Sequence, residues 1–149
     1  MRNLFDPANR KSILERLGRL EPGATRQWGK MGAAQMLAHC SIALEAATGD
    51  KPRKQALIGK LLARFVKSSL VGEKPFSKDS PTDPAFIVTG DRDFEAERQR
   101  LTILVNRFSE LGPEKAAAQV HSFLGRLTAE EWAVMMYKHI DHHLRQFDA

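Results

Sequence analysis

One cysteine, Cys40, stands among 149 residues. No disulfide can close within the chain, and a reducing, cytoplasmic home is expected. No apolar run approaches the roughly 20 residues of a membrane span. The first ten residues, MRNLFDPANR, lack the continuous apolar core of a signal peptide. Neither stable membrane insertion nor secretion is therefore expected. Ser-His-Asp spacing, a phosphate-binding loop and a Gly-rich dinucleotide fingerprint are all missing, so nothing supports ATP or NAD chemistry. Internal repeats and low-complexity stretches are absent as well. Acids are outnumbered, 18 against 23 Lys and Arg, for a net charge of +5. The excess is spread along the chain rather than gathered in one stripe, and nucleic acid is not the expected partner.

What remains is an ordinary globular composition, 42% hydrophobic and 28% charged, in a length that suits one domain over 1–149. Helical signals dominate, and no stretch makes a convincing strand. Asp6 as N-cap, Pro7 at the first helical position and Ile13, Leu14 and Leu17 at helical spacing predict a first helix ending near Leu20. A second spans about 31–48, stopped by Gly49-Asp50. A third, KQALIGKLLARFVKSSL, sets Leu57, Ile58, Leu61, Leu62, Phe65 and Val66 against Lys60, Arg64 and Lys67. Residues 71–92, with Gly72, Pro75, Pro81, Pro84 and Gly90, suit a long crossover. A fourth helix runs from about Asp93 to Leu111 with Gly112-Pro113 as its stop, and PEKAAA adds a short turn. TAEE is a capping box that starts the last helix at Thr128. The reading is all-α: a four-helix bundle with a long crossover connection.

The last helix ends in YKHIDHHLRQF, with three histidines in five positions. At about 100° per residue, His143 falls inside the apolar arc of Trp132, Met136, Ile140 and Phe147, and His139 lies about 40° away. His142 is turned about 100° from His143, toward Lys138 and Arg145, and reads as a rim residue. Residues at i and i+4 stand about 5–6 Å apart at Cβ, from where both imidazoles can bind one ion. His39 sits on the second helix on a face with Gln35, Ala43 and Ala46. Alone it reads as a core histidine bonded to a carbonyl. Three inward histidines, however, need three separate partners or one shared cation.

WGKMGAAQMLAHC (28–40) together with HSFLGRLTAEEWAVMMYKHIDHHLRQF (121–147) resembles the DinB/YfiT-like superfamily of metal-dependent helical-bundle proteins. Within it, the chain is most similar to a family of unknown function that carries W-G-K-M…Q-M-x-x-H and H-P-x-x-G-x-L-T…H-x-x-H-H-x-x-Q-F. Ser122 departs from that pattern, which has proline there, and this bears on the local turn. The resemblance implies a metal triad of one histidine on the second helix and an H-x-x-x-H pair on the last: His39, His139 and His143. It also implies a low-molecular-weight thiol as co-substrate, since characterised relatives include transferases and isomerases that use one.

Three neutral imidazoles leave a tetrahedral ion one free position. Such donors suit zinc or nickel first, and iron or manganese after them. Gln35 and Gln146 are candidates to orient the ligand rings. Both also read as polar residues at the bundle mouth. His121 either lines that mouth or fixes a loop. Cys40 reads as a buried apolar residue rather than a nucleophile, and the basic Lys60, Arg64 and Lys67 as a solvated face first, with attraction of an anionic thiol or a phospholipid surface as the other reading. The expected function is a divalent-metal protein acting as a thiol-dependent transferase or a metal-assisted hydrolase on a small molecule, with the assembly, monomer or homodimer, left open by the sequence. The alternative is a non-catalytic bundle that binds a small molecule or a protein partner.

Overall fold

Helix α1 (Pro7–Arg19) begins where its sequence sets it, because the Asp6 carboxylate accepts the amide protons of Ala8 and Asn9 at 2.8 and 3.0 Å. The computed structural model describes residues 1–80 and 82–149; Pro81, one of the prolines of the expected crossover, lies outside them. Helix α2 (Ala33–Thr48) starts two residues later than expected. Gly32 holds extended backbone there, and its N–H donates to the Gln35 Oε1 at 3.0 Å. Gly49 ends α2 at φ 82°, the left-handed conformation that a glycine adopts without a Cβ clash. Helices α3 (Leu57–Val71), α4 (Phe94–Leu111) and α5 (Pro113–Ala117) follow. The last helix, α6 (Ala129–Gln146), carries the expected box: Glu131 N–H donates to Thr128 Oγ1, and Thr128 N–H to the Glu131 carboxylate.

The chain is mostly helical, but one expectation needs correction. A two-residue hairpin, β1 (Val120–His121) and β2 (Gly125–Arg126), pairs antiparallel where no strand was expected. Two residues per strand leave no alternation to read. Helix α3 forms where it was expected but stands at the edge of the core. Helices α1, α2, α4 and α6 supply the buried core through Ile13, Leu17, Met36, Leu37, Leu44, Leu101, Phe108, Trp132, Ile140 and Leu144. Each such side chain contributes about 1.5–3 kcal/mol by leaving water. By contrast, Gly59 is the one fully buried residue of α3, and its large apolar stripe stays outside.

Partly buried ion pairs join the core helices from their edges. Arg16 of α1 reaches Asp141 of α6 at 2.7 Å, and Arg100 of α4 pairs with Glu45 of α2. Burial alone would raise the Glu45 pKa, but Lys51 and Arg100 together hold it below the usual value. Helix α3 attaches to α6 by polar contacts. Lys138 donates to the Ser69 and Gly72 carbonyls at 2.8 and 2.7 Å, placing a cation on the C-terminal carbonyls of α3. Among the described residues, no helix is long and apolar enough to cross a membrane.

Gly59 tests this attachment. A Cβ there would stand 2.3 Å from the Phe123 carbonyl oxygen, whereas one at Gly18, in α1, meets nothing within 4 Å. Thermal unfolding should therefore show Gly59→Ala destabilised and Gly18→Ala stabilised, the latter by about 0.4–1 kcal/mol through lost chain entropy.

Candidate metal centre

His39 comes from the middle of α2 and His139 and His143 from adjacent turns of α6. Each offers one ring nitrogen, and the three nitrogens lie within 4.8 Å of one another. The ring centroids form an equal triangle, 4.8 Å on every side, with planes steeply inclined at 68°, 76° and 82°. His39 and His143 are buried, and His139 is partly so.

Hydrogen bonds on the far sides of the rings decide which nitrogens are bare. The Phe86 carbonyl lies 2.8 Å from His39 Nδ1 and can only accept, so Nδ1 carries the proton and Nε2 keeps its lone pair. His143 is set by a longer relay. The Gln146 amide donates from Nε2 to the Trp28 carbonyl at 2.7 Å, which turns its Oε1 toward His143 Nδ1 at 2.9 Å. That nitrogen therefore donates, and His143 Nε2 is bare as well. His39 Nε2 stands 2.9 Å from His139 Nε2. Two nitrogens held at about 2.0–2.1 Å by one ion stand about 2.9–3.4 Å apart from right-angled to tetrahedral geometry, so the pair fits a shared cation.

Electrostatics keep the rings neutral. Burial lowers the pKa of His39, opposed in part by the Phe86 carbonyl. Burial, then the neighbouring His39 charge, drops His143 from 6.5 to about 3. His139 falls well below 6.5, first by burial and then by the charges of His143 and His39. Neutral imidazole at pH 7 is the form that binds metal.

The other sequence candidates fall in different places. Gln35 hydrogen-bonds elsewhere than to His39. Its amide links the Gly32 N–H to the Gly90 carbonyl at 3.0 Å each, tying the start of α2 to the crossover. The reason is reach: the ring nitrogen of His39 is already met by Phe86 from another segment. His121 is not in the triad. Its Nδ1 accepts the amide protons of Phe123 and Leu124 at 3.0 Å each and so fixes the hairpin turn. His142 is half-buried between Trp28 and Phe76, with ring centroids at 5.4 and 5.9 Å. Cys40 is fully buried, and burial lifts its thiol pKa far out of the nucleophilic range.

Two contacts had no readable signal. Phe86 acts through a backbone carbonyl, set by the 3-10 turn Pro84–Phe86 that Asp83 caps. Trp28 also acts through its carbonyl. The adjacent Gly29 has φ 74°, and a Cβ there would lie 2.5 Å from the Gln146 amide nitrogen. The W-G pair thus has a steric reason that its letters do not state.

Two predictions follow from this geometry. In a competition titration with a chromogenic chelator, His143→Ala should lose divalent-metal binding while His142→Ala keeps it. Gln146→Leu should weaken binding by about 10–100-fold, as losing a ring-orienting partner does. The second concerns pH. Burial holds the His121 pKa at about 4 against 6.5 in the open. Between those values the unfolded chain binds a proton that the folded chain refuses, so stability is full above pH 6.5 and falls as pH drops toward 4. Denaturant unfolding from pH 7 to 4.5 should show His121→Asn with a slope smaller by up to about 1.4 kcal/mol per pH unit. An unchanged slope would mean that His121 is not held neutral.

No curated protein and no solved structure matches this chain. A family model does, described as a protein of unknown function (DUF1569), over residues 5–149. That span takes in all six helices and every residue of the triad with its hydrogen-bond partners. The chain belongs to the DUF1569 family.

Proposed function

We propose that the protein is a DinB-like metalloenzyme of the thiol-dependent transferase or metal-assisted hydrolase type, with His39, His139 and His143 as metal ligands. The observation that carries this reading is the cluster of three ring nitrogens within 4.8 Å of one another, two of its rings having Nδ1 fixed by an acceptor and so Nε2 left bare. A purely structural cluster would pair each ring with its own donor and acceptor. When bound, a divalent cation supplies the positive charge that acidifies a thiol or water at neutral pH. The chain's part is to orient that charge through Phe86 and Gln146 and to keep the three rings unprotonated.

A cleft of about 520 Å³ lies beside the site; none of His39, His139 and His143 lines it, and it reaches them only through Phe76 and His142. Phe76 forms part of its wall and packs 6.5 Å from the His139 ring, and His142 lines it 5.1 Å from His143. Arg2, Lys78, Lys138 and Arg145 outnumber Glu73 and Asp141 around it. Asp141 is already engaged by Arg16 and Arg145. The remaining positive charge on Arg2 and Lys78 supports an anionic substrate, such as a carboxylate-bearing thiol, that reaches the triad past Phe76 and His142.

Cobalt substitution tests the reading. Titrating the cobalt form with a panel of small thiols should shift the visible bands and add a sulfur charge-transfer band, and anionic thiols should saturate at lower concentration than neutral ones. A spectrum that no thiol alters, while oxygen ligands exchange freely, would remove thiol transfer and leave hydrolysis. No activity on either class with metal bound would leave the non-catalytic alternative.

A further inference from the structure

Helix α3 turns its largest apolar side chains to solvent. Leu57, Ile58, Leu61 and Phe65 are 82%, 63%, 73% and 65% exposed, and Leu62 is 39% exposed. At about 100° per residue these five span an arc of roughly 140° on one side of the helix, while Gly59, Ala63, Val66 and Leu70 form the inward side. Three contacts hold that rotation. Gly59 lies on the Phe123 backbone with no room for a Cβ. Lys67 pairs with Glu131 at 2.7 Å, and Lys138 grips the Ser69 and Gly72 carbonyls. Rolling α3 to bury the arc would break all three. A contiguous apolar surface kept exposed in this way marks an interaction site.

Charge selects the occupant. Helix α3 contains no acidic residue. Exposed Lys60 and Arg64 border the arc beside Leu57 and Leu61, and exposed Lys54 precedes the helix. Neither Lys60 nor Arg64 has an ion-pair partner among the described residues; Arg64 lies over the Phe65 ring at 4.5 Å. A second copy laid on this helix would bring the same cations and no acid from its own α3 to meet them. An anionic phospholipid surface meets both halves of the pattern, with acyl chains for the arc and phosphates for the cations. We infer that α3 is an interfacial helix that seats Leu57, Ile58, Leu61, Leu62 and Phe65 at the headgroup boundary of an anionic bilayer, with Lys60 and Arg64 at the phosphates. Its 15 residues lie on such a surface and do not span it.

Co-sedimentation of the full chain with vesicles tests this directly. Binding should be strong to phosphatidylcholine mixed with phosphatidylglycerol, weak to phosphatidylcholine alone, and reduced by salt. Leu61→Glu with Phe65→Glu should abolish it, and Lys60→Ala with Arg64→Ala should weaken it about tenfold or more. All four side chains are exposed, so thermal melting should stay at the parent value and report that the fold is intact. Absence of binding to anionic vesicles, or binding that both double variants retain, would overturn the proposal. So would a concentration-dependent dimer in ultracentrifugation that Leu61→Glu disperses without any vesicle binding, because the arc would then be covered by a second copy.

Discussion

A bare imidazole nitrogen inside a helical core must meet either a proton or a cation, and here two such lone pairs, on His39 and His143, belong to a cluster of three rings whose nitrogens lie within 4.8 Å of one another. One proton on His139 Nε2 can answer His39, yet the triangle of equal ring spacings also includes His143. Protonation is closed as a remedy, since burial and mutual repulsion push the pKa values down. The three nitrogens lie within 4.8 Å of one another and could hold one divalent ion, and His39 and His139 already stand at the spacing such an ion sets.

Much of the surrounding structure secures this arrangement. The segment between α3 and α4 is long and poor in regular structure, but it is tied down at separate points. Its Phe86 carbonyl holds His39, its Gly90 carbonyl takes the Gln35 amide, and its Asp83 carboxylate takes the Ser122 hydroxyl at 3.1 Å. The last bond joins the crossover to the hairpin, which His121 stiffens from within. Ser122, the position that departs from the proline of the resembling family, thus contributes a hydrogen bond that proline has no group to make. From the other side, the Trp28 carbonyl fixes Gln146 and through it His143. Two separate loops, at Trp28 and at Phe86, therefore set the tautomers of two ligands on different helices.

Local signals in the sequence were informative wherever the cause is local. Asp6-Pro7, Gly49, Asp93 and the Thr128–Glu131 box place helix ends because capping involves neighbours in sequence. The helical wheel brings His139 and His143 to one face and turns His142 aside, because the period of one helix decides it. Long-range partners were not legible. Gln35 is one turn from His39 but spends its amide on Gly32 and Gly90, while the true partner of His39 is a carbonyl 47 residues on. Backbone acceptors carry no residue code. The outward face of α3 was hidden for a different reason: an amphipathic pattern says that a helix has an apolar side, not that the core receives it. Gly59, small enough to lie on Phe123, and Lys138, capping α3 from α6, decide the rotation.

The convergence of three imidazoles is the claim on which the functional reading rests, and metal stoichiometry tests it most directly. The full chain, purified without a histidine tag and dialysed against a divalent-ion mixture, should retain close to one ion per chain by elemental analysis. His39→Ala should retain almost none, even though α6 still carries its own pair. Retention by His39→Ala equal to that of the parent chain, or no retention by the parent, would contradict the three-histidine centre.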